Sequence, residues 1–351
     1  MKKPDWPDDL INVEDVRSWI SKVLTENTTV KGPTKIDQVK PWGVVARFNI
    51  QNTKYGKQEI VFKASQLPLF NYGPFVDKLL MENCSESVPE MLAWQAWQDK
   101  TWILFKPFSA QLASSISGIE PIIKIAQSFA HIQTIIAGVL SGKTENIPQT
   151  KICNIPEQFE KIIQDIEDRQ WKIWTINRSE YMDKFQIPDD LCNILRSYLP
   201  KTENWAAELT SMNWPDTIDH VDLHTNNAAI FPDGRLLIFD WEEALISCPF
   251  FSLDRLLSDA RDLDIEMKSV SENYDGKYSR SELSVRKAYL ETIPWNSYPE
   301  RERGFDLAMC LSPLKAAYEG YIFAQARNLK NGLPYLTAMC IMTALKRWEF
   351  L

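Results

Sequence analysis

Near the start of the chain, the apolar residues Val16, Trp19, Ile20, Val23 and Leu24 recur at i, i+3, i+4, i+7 and i+8. That stripe predicts an amphipathic helix over 13–25 with one buried face. The period then drops to two. Gly43-Val-Val-Ala-Arg-Phe-Asn-Ile, a polar turn Asn52-Thr-Lys-Tyr-Gly56-Lys, and Glu59-Ile-Val-Phe-Lys63-Ala predict a strand–turn–strand hairpin. A helix over 75–81 and strands over 88–94 and 101–105 follow, and Lys106-Pro-Phe108-Ser-Ala breaks the pattern. From there the pattern is mostly helical. Ile122, Ile125, Ala126, Phe129 and Ile132 share one face of a helix over 121–137, with further helices expected at 156–170, 188–198, 252–261, 283–291, 305–328 and 334–349. One hairpin interrupts them, 228–231 and 236–239 around an Asp233-Gly234 turn. The polar stretch 264–284 is expected to be a surface loop, and no internal repeat is present.

This order predicts an α+β protein of two lobes. Residues 1–106 would form a small antiparallel β-sheet lobe, and 107–351 a larger, mainly helical lobe with a hairpin of its own. Length and composition agree: 351 residues, 44% hydrophobic and 25% charged, suit a globular chain with a substantial core. The net charge of −8 argues against a nucleic-acid partner held through phosphates. Six scattered cysteines without a C-x-x-C pair read as buried thiols in a reducing compartment. The first residues lack the apolar core of a signal peptide, and no apolar run reaches about 18 residues. A cytoplasmic protein with no membrane span is the expectation.

The chemistry concentrates in His220-Val-Asp222-Leu-His224-Thr-Asn-Asn227, followed thirteen residues later by Asp240-Trp241. Asp222 is a carboxylate flanked by Val221 and Leu223; Asn227 offers a neutral oxygen, and Asp240 a second carboxylate at a strand end. Phosphoryl transfer from a magnesium nucleotide needs such a set: a base on the acceptor hydroxyl and two oxygen ligands for the metal. A His-x-Asp-x-His run can also ligate zinc or iron, but that reading leaves Asp240 and Lys63 unused and has only His131 in reserve.

The segment resembles the H-G-D-L-H-x-x-N motif and the following I-D-W motif of the aminoglycoside phosphotransferase family, which includes choline, homoserine, methylthioribose and fructosamine kinases and shares the protein-kinase fold. The resemblance extends to Lys40-Pro-Trp-Gly43 with Val61-Phe-Lys63-Ala, to Val88-Pro-Glu-Met-Leu-Ala-Trp with Thr101-Trp-Ile-Leu-Phe, and to Asp240-Trp-Glu-Glu-Ala through Asp254, covering about 40–260. It implies that Lys63 binds the α- and β-phosphates of ATP beside a nucleotide loop containing Gly43. Phe105, Lys106 and Phe108 would frame the adenine, Asp222 would be the base, and Asn227 and Asp240 would hold Mg2+. His220 would brace the catalytic loop.

Three departures stand out. Val221 replaces the family's glycine, a change suited to a backbone with φ below zero. Gly43 is the one glycine of the nucleotide loop. Gly73 stands where a glutamate would pair with Lys63, and Asp77, Glu82 and Glu86 are the only acids between it and Val88. The implied activity is ATP- and Mg2+-dependent phosphorylation of a hydroxyl on a small molecule; the alternative is a nucleotide-binding pseudokinase with a regulatory or scaffolding role. Glu242 and Glu243 tilt the acceptor toward a cationic compound. His131 reads as a packed core histidine, and Ser252 or Asp254 as a helix cap. Neither the acceptor nor the oligomeric state is written in the sequence.

Overall fold

Alternation of small and large apolar residues with polar ones sets the first half of the molecule, and helical stripes set the second. The computed structural model describes residues 5–24, 28–52, 54–140, 146–168, 174–175, 190–266, 278–327 and 333–348. In chain order the elements begin α1 (Val13–Leu24), β1 (Thr29–Lys40), β2 (Gly43–Asn52), β3 (Gly56–Ser65), α2 (Gly73–Cys84), β4 (Met91–Ala96), β5 (Thr101–Phe105) and β6 (Gln111–Leu112). Next come α3 (Glu120–Val139), α4 (Ile155–Asp168), β7 (Trp174–Thr175), α5 (Leu191–Ser211), β8 (Thr217–Asp219), β9 (Ala228–Ile230), β10 (Leu236–Ile238) and β11 (Leu245–Ser247). The chain continues through α6 (Leu253–Glu266), α7 (Arg280–Thr292), α8 (Tyr298–Ala326), β12 (Leu333–Pro334) and α9 (Tyr335–Trp348).

These elements pack as two units. The first comprises the described residues within Met1–Ser115, Glu145–Ile147 and Asn226–Glu243; the second comprises those within Ile116–Thr144, Pro148–Thr225 and Ala244–Leu351. In the first, five antiparallel strands run in the order β1-β2-β3-β5-β4. Val44, Ala46, Phe48 and Ile50 of β2, Ile60, Phe62 and Ala64 of β3, and Trp102 and Leu104 of β5 are buried. Trp19 of α1 lies on them, its ring 6.1 Å from Phe62 and 5.5 Å from Trp102. Each of the larger of these side chains contributes about 1.5–3 kcal/mol by leaving water, the alanines less. The period of two puts Lys63 on the other face, in register with Val45 and Ile103. The same unit holds the sheet β10-β9-β6.

In the second unit α3 is the central helix. Its Gln133 is fully buried and fully used: Nε2 donates to the carbonyls of Ile218 (2.8 Å) and Pro249 (2.7 Å), and Oε1 accepts from the Tyr289 hydroxyl at 2.5 Å. Its carbonyl accepts from Thr217 Oγ1 at 2.7 Å. A buried amide left unsatisfied would cost free energy, so these bonds fix β8 against α3 and α7.

Several expectations shift. β1 was not foreseen, because its residues are mostly exposed or half-buried and do not alternate, as suits an edge strand rich in Lys and Thr. β4 starts at Met91, after Pro89, three residues later than expected. α5 passes through Pro200 to Ser211 instead of ending at 198. By length and composition alone α3 could cross a membrane, yet its Ile122, Ile125, Phe129, Ile132 and Ile136 are buried in the protein, as in a core helix. His131, on the same helix, is exposed and not a core histidine. Cys84, Cys248 and Cys310 are buried, but Cys153 is exposed. Of the expected 264–284 loop, the ends belong to α6 and α7, and 267–277 lies outside the described residues, as do 169–170 and 188–189 at the ends of two expected helices.

Candidate functional site

The lysine side is built entirely within the first unit. Lys63 projects from β3, and its ammonium forms an ion pair with Asp240 and lies 3.0 Å from Glu242 Oε2. The other oxygen of Glu242 is 3.7 Å from Lys40 Nζ. Burial alone would lower the Lys63 pKa, but the charges of Asp240 and Glu242 outweigh it and hold it above the ordinary lysine value, so the ammonium stays charged. Asp77 of α2 shares this environment: burial pushes its carboxyl up to about 7, with Lys63 pulling down and Asp240 and Glu242 pushing up.

The acid expected from α2 therefore comes from after Asp240. Gly73 has a physical reason: a Cβ there would sit 3.3 Å from Glu242 Cα. The missing side chain is the space Glu242 occupies. Glu242 is accordingly buried and lysine-bound, which corrects its reading as an exposed attractor of cations.

Asp240 follows β10 with φ at +69°, a left-handed conformation that aspartate adopts more readily than most residues. Asn227 is buried, and its carbonyl accepts from the Phe239 amide at 2.9 Å, which ties it to the residue before Asp240. Both side chains present hard oxygen donors. Magnesium is usually held by one or two such groups with substrate phosphates and water completing the shell, so the donor set fits that ion. Gly43 begins β2 after a two-residue turn; a Cβ on it would meet the Ala64 carbonyl oxygen at 2.3 Å, so backbone packing already demands a glycine there. Phe105 ends β5 half-buried. Lys106 Nζ lies 2.9 Å from Glu90 Oε2, an exposed pair worth little energetically. Phe108 is exposed, with its ring centroid 5.6 Å from Phe239 and 6.4 Å from Phe231.

The base side belongs to the second unit. β8 pairs antiparallel with β11 and delivers the chain to His220, which is buried and donates its amide to Ser252 Oγ at 2.9 Å. The amide of Asp222 then donates to the carbonyl of His220 at 2.8 Å, closing a three-residue turn on Val221. Val221 has φ at +66°. That is the rare, strained hand of the γ-turn, unfavourable for a β-branched residue at a cost of about 1–3 kcal/mol. The condition for replacing glycine here, φ below zero, is not met.

Asp222 emerges from this turn half-exposed, with His224 Nε2 at 3.3 Å and Arg255 Nε at 3.6 Å. Burial raises its pKa, but the hydrogen bond and charge of His224, with His220 and Arg255, hold the carboxyl below the usual range. Ionised but weakly basic, it suits orienting a hydroxyl more than removing its proton early. Asp259 accepts from the Thr225 amide (2.7 Å) and hydroxyl (2.6 Å) and lies 3.7 Å from Arg255. Arg255, Asp259 and Asp219 were missed in the sequence. Only the four-residue spacing of Arg255 and Asp259 on one helix face hinted at a pair. Ser252, expected as a cap, spends its hydroxyl on Asp219 and His220, and Asp254 pairs with Arg347 at 2.8 Å.

Among the described residues, no group of three or more His, Cys, Asp or Glu is placed to hold a metal ion, which removes the zinc or iron site built on His220, Asp222 and His224.

No family model matches the chain, and no curated protein matches it in sequence. Solved structures do match in fold. The GDP complex of an aminoglycoside 2'-phosphotransferase superposes with a TM-score of 0.59 at 10% identity, covering 97% of this chain and 100% of that one. A choline kinase from Streptococcus pneumoniae gives 0.57 at 13% identity over 97% and 99%. An ethanolamine kinase from Plasmodium vivax gives 0.55 at 11% identity over 96% and 84%. The fold is the α+β, protein-kinase-like one, with an antiparallel sheet in one unit and a larger helical second unit.

Proposed function

We propose that this protein is a small-molecule kinase of the aminoglycoside phosphotransferase and choline kinase type, transferring the γ-phosphate of ATP to a hydroxyl group. The observation that carries the reading is the Asp222 loop: a carboxylate on a strained turn, kept ionised by His224 and Arg255, within a motif that also supplies Asn227 and Asp240. Complexes with AMP and GDP among structures of this fold support a nucleotide ligand.

In this reading Asp222 orients the acceptor hydroxyl and receives its proton as the bond to phosphorus forms. Lys63 directs a fixed positive charge at the α- and β-phosphates, and Gly43 belongs to the loop beside them. Phe105, Lys106 and Phe108 frame the base of the nucleotide. Asn227 and Asp240 hold magnesium, which supplies charge neutralisation at the phosphates when bound. Catalysis is then mainly positioning and electrostatics. The acceptor is a small alcohol, and with Glu242 engaged by lysines the tilt toward a cationic one rests on Glu243 alone. The pseudokinase alternative loses its main motive, because Lys63 has acidic partners. A cytoplasmic location fits this activity.

The test is ATP consumption against a panel of metabolite alcohols and aminoglycosides. One acceptor should accelerate turnover, and Asp222→Ala should lower that rate by about 10²–10⁴-fold while nucleotide still binds. An Asp222→Ala protein as fast as wild type would overturn the assignment.

A further inference from the structure

We infer that Lys315, far from the motif in sequence, is a positioning residue for the loop that carries Asp222, acting through Asp219. The inference rests on the phosphotransferase reading for its kinetic consequence only.

Asp219 ends β8 and is fully buried, an unusual place for a carboxylate. Oδ1 is hydrogen-bonded, and Oδ2 makes no hydrogen bond but sits in ion-pair contact with Lys315. Oδ1 accepts from the Val221 amide at 3.0 Å and from the Ser252 hydroxyl at 2.6 Å; Oδ2 lies 2.8 Å from Lys315 Nζ. Ser252 in turn accepts the His220 amide. One carboxylate thus holds, directly or through one hydroxyl, the backbone of both residues before Asp222. It holds Val221 in the left-handed conformation that valine resists.

A buried carboxylate without a countercharge would take up a proton and lose half of its accepting capacity. Lys315, on α8 and only 4% exposed, supplies that charge, and Glu319 one turn on holds the ammonium at 2.5 Å. The ring of Phe251 lies 5.7 Å from the same ammonium. Burial would lower the Lys315 pKa, yet Asp219 and Glu319 keep it raised. For stability alone, an apolar pair of similar volume would serve as well as a buried ion pair. What an apolar pair lacks is an acceptor for the Val221 amide and for the Ser252 hydroxyl that in turn holds the His220 amide.

Removing Lys315 alone strands a buried charge and risks unfolding, so the experiment uses paired changes. Asp219→Leu/Lys315→Met should fold, keep its KM for ATP, and lose about a hundredfold in kcat, the scale of an ångström's misplacement. Asp219→Asn/Lys315→Met, which keeps an acceptor for the Val221 amide, should recover most of that loss. Adding Val221→Gly to the Leu/Met pair should also restore kcat, because glycine takes the turn unaided. A readout independent of activity is amide hydrogen exchange. In the Leu/Met pair the peptide spanning 219–223 should lose protection while α3 peptides stay unchanged. Wild-type kcat together with unchanged exchange in the Leu/Met pair would overturn the inference. An inactive wild type would refute the kinase reading and leave the exchange result to decide this one.

Discussion

Each unit of this protein contains a lysine held between two carboxylates, half-buried at Lys63 and buried at Lys315, and the two differ in what else their acids bind. Lys63 faces Asp240 and Glu242, with Asp77 a third acid nearby. Carboxylates outnumber ammonium there, and Asp240 keeps 29% of its side chain exposed, so its partners are exchangeable for a ligand's charges. Lys315 faces Asp219 and Glu319, and Asp219 is wholly buried with its other oxygen committed to backbone and serine. In the proposed reading the same ionic chemistry serves a ligand in one unit and a backbone frame in the other. What separates them is exposure and the number of other bonds each acid makes.

The largest expected effect breaks that contrast if it fails. Lys315→Met should destabilise the protein by about 3–5 kcal/mol, because Asp219 stays buried without a counterion. Millimolar magnesium should not restore it. Lys63→Met should lose only about 1–2 kcal/mol, and magnesium should regain part of that by taking the lysine's place among the acids. Urea denaturation with and without the ion checks both; equal losses, or equal rescue, would erase the distinction.

A smaller effect belongs to Asp77. Its carboxyl has a folded pKa of about 7 against an ordinary value of 3.8, so the folded state binds the proton more tightly. Wild-type stability from this group should fall as pH rises through that window and stay low above it. Without nucleotide or divalent cation, Asp77→Asn should therefore gain about 2–3 kcal/mol over wild type between pH 5 and pH 8. A pH-independent difference would mean that burial does not raise the Asp77 carboxyl. The smallest effect sharpens the other half: Val221→Gly should stabilise by about 1 kcal/mol through released turn strain, less whatever glycine costs in unfolded-chain entropy. Thermal denaturation would show it; a loss of stability would mean the turn is not strained.

Much of the fold was legible because the apolar period changes cleanly from 3.6 to two and back, giving α1, the β2–β3 hairpin and the later helices. β1 hid because an edge strand with little buried surface has no alternation to read. The motif around Asp222, Asn227 and Asp240 was legible as spacing. Its surroundings were not. Lys63 and Asp240 stand 177 residues apart, and nothing local in Glu242 marks it as a lysine partner. Asp219 read as one more polar residue before a histidine, since burial comes from packing by distant helices. The φ of Val221 follows from hydrogen bonds to Asp219 and His220, which valine's own preference would argue against.

The contact between Gly73 and Glu242 gives the molecule a kind of memory. A glutamate placed back at 73 would have to enter space already held by the Glu242 backbone, 3.3 Å from its first side-chain atom. The two ways of supplying an acid to Lys63 therefore compete for one space, and a side chain at 73 is accommodated only if the Glu242 backbone yields by a few tenths of an ångström. A residue that looks like a loss in the sequence is the space in which the other acid reaches the lysine.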